Sequence, residues 1–103
     1  MLERLQAALA ALGRCYHYVA EPNAVPPYIT WMEDGDNDLM AGNVHAERCY
    51  TGSAHLFTRT EGDPLFDAIP AAIEDIGASW YLNSVQYEED TGLIHYEWYW
   101  EVV

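Results

Sequence analysis

The apolar residues at the start of the chain recur at helical spacing. Leu2, Leu5, Leu9 and Leu12 follow one another at steps of three, four and three residues, which places them on one stripe of a helix. Gly13 comes next, at the position where glycine commonly ends a helix. The pattern therefore predicts an amphipathic helix over residues 2–12.

A second helical pattern begins at Asp63 and Pro64. Aspartate is a preferred N-cap residue and proline a preferred first residue of a helix. Gly77 is placed to end the helix, and Pro70 inside it predicts a kink, or a short turn followed by a second helix start. The apolar stripe of this predicted helix consists of Leu65, Phe66, Ile69, Ile73 and Ile76.

Five segments are rich in β-branched and aromatic residues, which favour strands. The clearest is the last, where Ile94, Tyr96, Trp98, Trp100 and Val102 alternate with wetter positions, as in a strand with one buried face. Gly52 predicts a bend or bulge within its strand. The predicted strands are 15–19, 28–32, 46–59, 79–87 and 93–102; the connections include a proline-rich segment at 21–27, a polar loop at 34–43 and a hairpin turn at 88–92.

The order of elements is helix, three strands, helix and hairpin, within 103 residues. A chain of this length forms one domain, here residues 1–103. The order predicts an α+β fold: a mostly antiparallel sheet of four to five strands, with the N-terminal helix and the central helix packed on one face.

Charge narrows the classes of function. The chain has 17 acidic residues, four arginines and no lysine, for a net charge of −13. Nucleic acids and anionic membranes both require a basic surface, so neither is an expected binding partner. The acidity has two open explanations: it provides solubility, or it repels DNA and delays self-association until a partner is present.

Hydropathy and the number of cysteines predict where in the cell the protein is found. No stretch approaches the 18 apolar residues of a membrane span. Glu3 and Arg4 interrupt the first apolar run, which argues against a signal peptide. Cys15 and Cys49 are accordingly expected to be reduced thiols of a cytosolic protein.

One acidic segment has part of a calcium-binding pattern. Asp34, Asp36 and Asp38 have the spacing that opens a calcium loop, but Leu39 replaces the required glycine and His45 stands where the bidentate glutamate belongs. The expected structure is a solvated acidic loop, with non-specific cation binding as the alternative.

Other candidate chemistry is absent from the pattern. The four histidines stand singly, and neither cysteine is expected to act as a nucleophile, although each directly follows an arginine. Glu88, Glu89 and Asp90 cluster at a hairpin tip, where exposure gives no reason for the perturbed pKa values of acid–base catalysis. We therefore expect no catalytic residue, no metal, no cofactor and no enzymatic activity.

Several ordered features together resemble a known family. They are Pro27–Trp31 in an early strand, an acidic loop ending in Ala41–Asn43, a long strand ending in Leu56–Arg59, a helix opened by Asp63–Phe66 and a hairpin over Leu82–Glu97. In this combination the chain is similar, over nearly its whole length, to the small tail-terminator or tail-completion proteins of long-tailed phages and prophages.

The resemblance implies a virion structural protein. Such a subunit forms a ring, commonly a hexamer, on the end of the tail tube, and contacts the tail tube protein and the head connector. DNA passes through without specific binding, and the protein is found in the virion tail and, during assembly, in the host cytoplasm. Candidate contact surfaces are the strand edges and two acidic groups, Asp34, Asp36 and Asp38 in the loop and Glu88, Glu89 and Asp90 at the tip.

The charge also predicts how such a ring assembles. Copies carrying −13 each repel one another, so free subunits should associate weakly until tube contacts or divalent cations promote the ring. The competing hypothesis is a small acidic inhibitor, an immunity-type protein or DNA mimic, that stays monomeric and covers a basic surface on its partner.

Overall fold

The computed structural model describes residues 2–36 and 49–102. It contains a five-stranded sheet of order β1-β2-β3-β5-β4, in which β1 and β2 are parallel and all other neighbours antiparallel. This confirms the predicted α+β fold. The elements are α1 (Leu2–Ala10), β1 (Cys15–His17), β2 (Tyr28–Asp36), β3 (Tyr50–Thr58), α2 (Leu65–Asp75), β4 (Ser79–Glu88) and β5 (Leu93–Val102).

The leucine stripe of α1 is packed as its spacing predicts. Leu5 and Leu9 are fully buried, and Leu2 and Leu12 are packed against the core from its margin. The helix ends at Ala10, two residues earlier than predicted, because the last residues form a turn in which the Leu12 N–H bonds to the Leu9 carbonyl oxygen.

Asp63 fixes the start of α2 through two hydrogen bonds. Its Oδ1 accepts from the Leu65 N–H at 2.8 Å, and its Oδ2 accepts from the Thr58 hydroxyl at 2.7 Å. Asp63 therefore caps the helix as predicted, although the assigned helix begins only at Leu65. The helix then runs through Pro70 without a break, so the predicted second helix start is wrong; burial of the Pro70 ring offsets the backbone bond that it cannot donate.

Strands β1, β2 and β3 differ from prediction. Strand β3 runs from Tyr50 to Thr58 rather than over 46–59, and residues 46–48 of the predicted strand lie outside the described residues. Strand β1 ends at His17, because Tyr18 takes a positive φ of 74° that leaves the extended conformation. Strand β2 continues to Asp36, so the predicted loop begins later than expected. The irregularity expected at Gly52 lies across from it, as a register shift between Glu33 and Gly35 in β2.

The core lies between the sheet and the two helices. Trp98 and Trp100 of β5 are 1% and 2% exposed, which confirms the buried face predicted from the alternation of that strand. Their cross-strand partners Ala54 and Gly52 are small, and this leaves room for the indole rings. The other members of the buried cluster are Leu5, Leu9, Ile29, Trp31, Leu56, Ile69, Ile73, Ile76, Ala78 and Val102.

The residues that alternate with the buried ones along each strand lie on the opposite face of the sheet. His55, Glu97 and Tyr99 lie on this face, which we call the open face because no helix among residues 2–36 and 49–102 packs on it. The helices of this described part are 9 and 11 residues long, and neither has the length and apolar character to cross a bilayer.

Candidate functional site: two sheet edges and a histidine pair

Strand β4 forms one edge of the sheet, and its outer surface is apolar. Tyr81, Leu82, Val85 and Tyr87 are 57%, 39%, 52% and 65% exposed. Residues 76–87 carry no charge, the longest such run in a chain with 21 charged residues. Proteins usually protect an edge strand of ten residues with charges or proline. This edge, residues 79–87, lacks both and is suited to a protein contact.

A bulge at Asn83 arranges the side chains of the β4 edge. The register shifts between Leu82 and Ser84, and the Asn83 amide donates to Glu97 Oε1 at 2.9 Å. Because of the extra residue, Leu82 and Val85 both face the helix side of the sheet, opposite Trp98 and Tyr96. Tyr87 continues this row, so the bulge produces an apolar stripe of Leu82, Val85 and Tyr87.

The opposite edge is formed by β1 together with the loop 18–27, which we call the β1 rim. Tyr18, Val19 and Val25 are 56%, 75% and 56% exposed on it. Two grooves flank the rim. One, of about 400 Å³, lies between the loop and Tyr28, Thr30 and Phe57 on the open face; the other, of about 370 Å³, lies on the helix side between α1 and the side chains of His17 and Trp31.

Stacked rings hold the β1 rim in place. The His17 ring lies between those of Tyr18 and Trp31, with centroid distances of 3.9 Å on both sides. His17 Nε2 and the Tyr18 hydroxyl both donate to the Glu33 carboxylate, the former at 2.8 Å. The bond to Glu33 raises the pKa of Tyr18. The strand of the rim has only three residues, but these ring contacts and hydrogen bonds hold its side chains in place.

Two indole N–H groups are buried without a hydrogen-bond partner in the described part of the chain, those of Trp31 and Trp100. Trp31 lines the helix-side groove of the β1 rim. Trp100 lies near the start of β4, where a third groove of about 540 Å³ is also lined by Trp80, Tyr81 and Glu101. An unpaired buried donor costs free energy, and both of these donors lie on inner strands of the sheet, β2 and β5.

The open face brings together two histidines that the sequence presents as single residues. His55 Nδ1 lies 2.8 Å from His95 Nε2, and His55 Nε2 lies 3.0 Å from the Ser53 hydroxyl. Glu88 Oε2 lies 3.6 Å from His95 Nδ1, which favours a proton on that nitrogen. The two residues meet because the register of β3 and β5 places them diagonally, which the spacing of histidines along the sequence does not reveal.

The environment of His55 disfavours its protonation. Burial lowers the pKa of His55, the adjacent His95 lowers it further, and Glu97, at 3.7 Å, raises it in part. Phe57 stacks on the His95 ring with centroids 4.2 Å apart. A neutral pair with one proton between the two facing nitrogens satisfies both rings, whereas two protonated rings at this distance would repel.

The predicted acidic residues fall into two separate places. Asp34 and Asp36 lie on β2, where Asp34 Oδ1 accepts from the Thr51 hydroxyl at 2.9 Å, and Asp38 and His45 lie outside the described residues. Glu89 and Asp90 are exposed in the turn after β4. Within residues 2–36 and 49–102, no group of three or more histidine, cysteine or acidic residues could hold a metal ion.

The cysteines do not form a reactive site with their neighbours. Burial raises the pKa of the Cys15 thiol to about 11, which disfavours the thiolate. The Cys49 thiol donates to Glu101 Oε2 at 3.1 Å. Cys15 and Cys49 are not joined to each other by a disulfide.

The sequence gives only part of the signal for these surfaces. The uncharged run 76–87 is visible in it, but that this run forms an edge depends on the pairing of β5 between β3 and β4. The histidine pair depends in the same way on register.

A comparison of the chain with known protein-family models finds no match, and none is found among curated proteins.

Proposed function

We propose that this protein is a phage virion structural subunit, a tail-terminator or tail-completion protein that forms a ring on the end of the tail tube. The role is one of assembly without catalysis. The partners are other copies of the chain, the tail tube protein and the head connector. The protein acts in the virion tail and is assembled in the host cytoplasm.

The observation that carries the proposal is the pair of unlike sheet edges. A closed ring requires a head-to-tail interface, in which each copy uses one surface to contact a different surface on the next. The chain offers two such surfaces on opposite edges of one sheet, the long uncharged β4 edge and the grooved β1 rim. An inhibitor that acts as a monomer has no need of either.

Charge supports the same role. DNA must move through a tail tube, and a basic lumen would hold it through counterion release. A chain with 17 acidic residues and no lysine does not provide such a basic surface for DNA. The two edges are the places where this acidic chain carries little charge, so copies can meet there while their other surfaces remain negative.

Deletion of the gene from the phage or prophage that carries it tests the proposal. The expected result is tails of abnormal length without heads, seen by electron microscopy, and restoration of normal tails when the gene is supplied in trans. Tails of normal length joined to heads would overturn the proposal. Capture of a basic enzyme by a chain that stays monomeric would favour the acidic inhibitor instead.

A further inference from the structure

We infer that copies associate by docking the β4 edge of one copy on the β1 rim of the next, with the acidic hairpin tip of the first beside Arg14 of the second. This rests on the proposed ring and names the surfaces that form it. The partner at the β4 edge is thus a second copy of this chain.

The directions of the edge strands suit this contact. Strand β1 is parallel to β2, and the antiparallel pairs β2–β3, β3–β5 and β5–β4 then make β4 antiparallel to β1. Placing the β4 edge of one copy beside the β1 rim of the next in the same orientation continues the sheet in the antiparallel sense. Since β1 has only three residues, few backbone bonds form there and side chains must supply most of the contact.

Apolar side chains are exposed on both edges. The β4 edge projects Leu82, Val85 and Tyr87 in one exposed stripe. The β1 rim offers a groove on the helix side of the sheet, the same side as the stripe, and exposed Val19, which lines the groove on the open face. Burying exposed apolar surface on both copies drives association.

Charge fixes the orientation. Cys15 pairs with Ile29, and the cross-strand row continues through Leu56 and Tyr96 to Val85. Arg14 precedes Cys15, and the acidic tip of Glu88, Glu89 and Asp90 follows Val85, so both lie toward the same end of the sheet. In the continued sheet, the exposed Arg14 of one copy lies near the tip of its neighbour, where opposite charges attract and select this arrangement.

Two single variants and their mixture test the inference. Val85→Glu places a charge on the β4 edge, and Val19→Glu places one on the β1 rim, both at exposed positions that leave the fold intact. Ala71→Glu, exposed on α2 and part of neither surface, is the control with the same change of charge. All are measured by sedimentation in the magnesium concentration at which the unaltered chain associates, with circular dichroism as the check of folding.

A head-to-tail contact predicts a distinctive outcome. Each of V85E and V19E alone stays monomeric, A71E associates normally, and an equal mixture of V85E and V19E forms a two-copy species and nothing larger, since each variant keeps one intact surface. Arg14→Glu weakens association, and combining it with Asp90→Arg restores it.

Other outcomes overturn the inference in distinguishable ways. If V85E and V19E associate like the unaltered chain, the ring uses other surfaces and the proposed function stands. If V19E alone forms dimers while V85E does not, two β4 edges pair with each other and the head-to-tail contact is wrong. If the unaltered chain remains monomeric at every magnesium concentration, self-association through these two edges is contradicted, while the gene deletion still decides the proposed function.

Discussion

Gly52 is the glycine of the sheet at which an added side chain would meet the closest contacts. A Cβ there would lie 2.1 Å from the Met32 carbonyl oxygen and 2.4 Å from Trp100 Cζ2, so the bulged part of β2 and the indole ring occupy the space of a side chain. Gly52→Ala must displace backbone, and we expect a loss of unfolding free energy of about 1–3 kcal/mol or more, measured by urea denaturation.

Gly35→Ala is the matched control for Gly52→Ala. The nearest atom to a Cβ at Gly35 is the hydroxyl of Thr51 at 3.1 Å, a side-chain atom that can shift at the cost of its exposed bond to Asp34. Its effect on the free energy of unfolding should be much smaller. Equal losses for the two variants would show that the close approach at Gly52 does not limit the fold.

His55 gives the fold a dependence on pH. Because burial and the neighbouring His95 lower its pKa in the folded state, the unfolded chain binds a proton more readily, and folding stability falls as pH drops below about 6.5. The groups around it are His95, Glu97, Ser53 and, beyond His95, Glu88. The contribution of one proton to the slope is at most about 1.4 kcal/mol per pH unit.

Substituting His55 should remove this contribution. His55→Gln is expected to flatten the change of unfolding free energy between pH 6.5 and 5, measured by urea denaturation at each pH. An unchanged slope in His55→Gln would mean that the pair titrates alike in the folded and unfolded chains.

At the scale of elements, α2 depends on its first residues. Asp63 accepts from both the Leu65 N–H and the buried Thr58 hydroxyl, so it joins the helix start to the end of β3. Asp63→Ala removes the cap and leaves Thr58 without its acceptor, and we expect a loss of about 1–3 kcal/mol in thermal or urea unfolding. Glu61→Ala, at an exposed position of the preceding turn, should change stability little; a similar loss there would contradict the capping role.

Elements with a complete local signal could be predicted from the sequence. The leucine stripe of α1, the cap at Asp63 and the alternation of β5 each lie within a few neighbouring residues, and the structure has all three. The parallel pairing of β1 with β2, the bulges and the meeting of His55 with His95 could not be predicted. They depend on register between strands far apart in the chain, which local patterns do not encode.

At the scale of the whole molecule, net charge opposes association between copies, and we propose that the two sheet edges favour it. Copies at −13 repel one another through solvent, whereas the uncharged β4 edge and the β1 rim are the surfaces through which we propose that copies attract. Repulsion is screened over about 10 Å at 0.1 M salt and about 3 Å at 1 M, whereas burial of apolar surface is not weakened by screening. Association should therefore increase with ionic strength, and more steeply with magnesium.

Sedimentation of the purified chain across a series of salt and magnesium concentrations tests this account most directly. We expect monomers at low ionic strength that convert, as salt or magnesium rises, to one closed species with a mass of a small whole number of copies, six by the proposed function. A chain that stays monomeric throughout, or that forms open polymers growing without limit, would contradict a ring built from the two sheet edges.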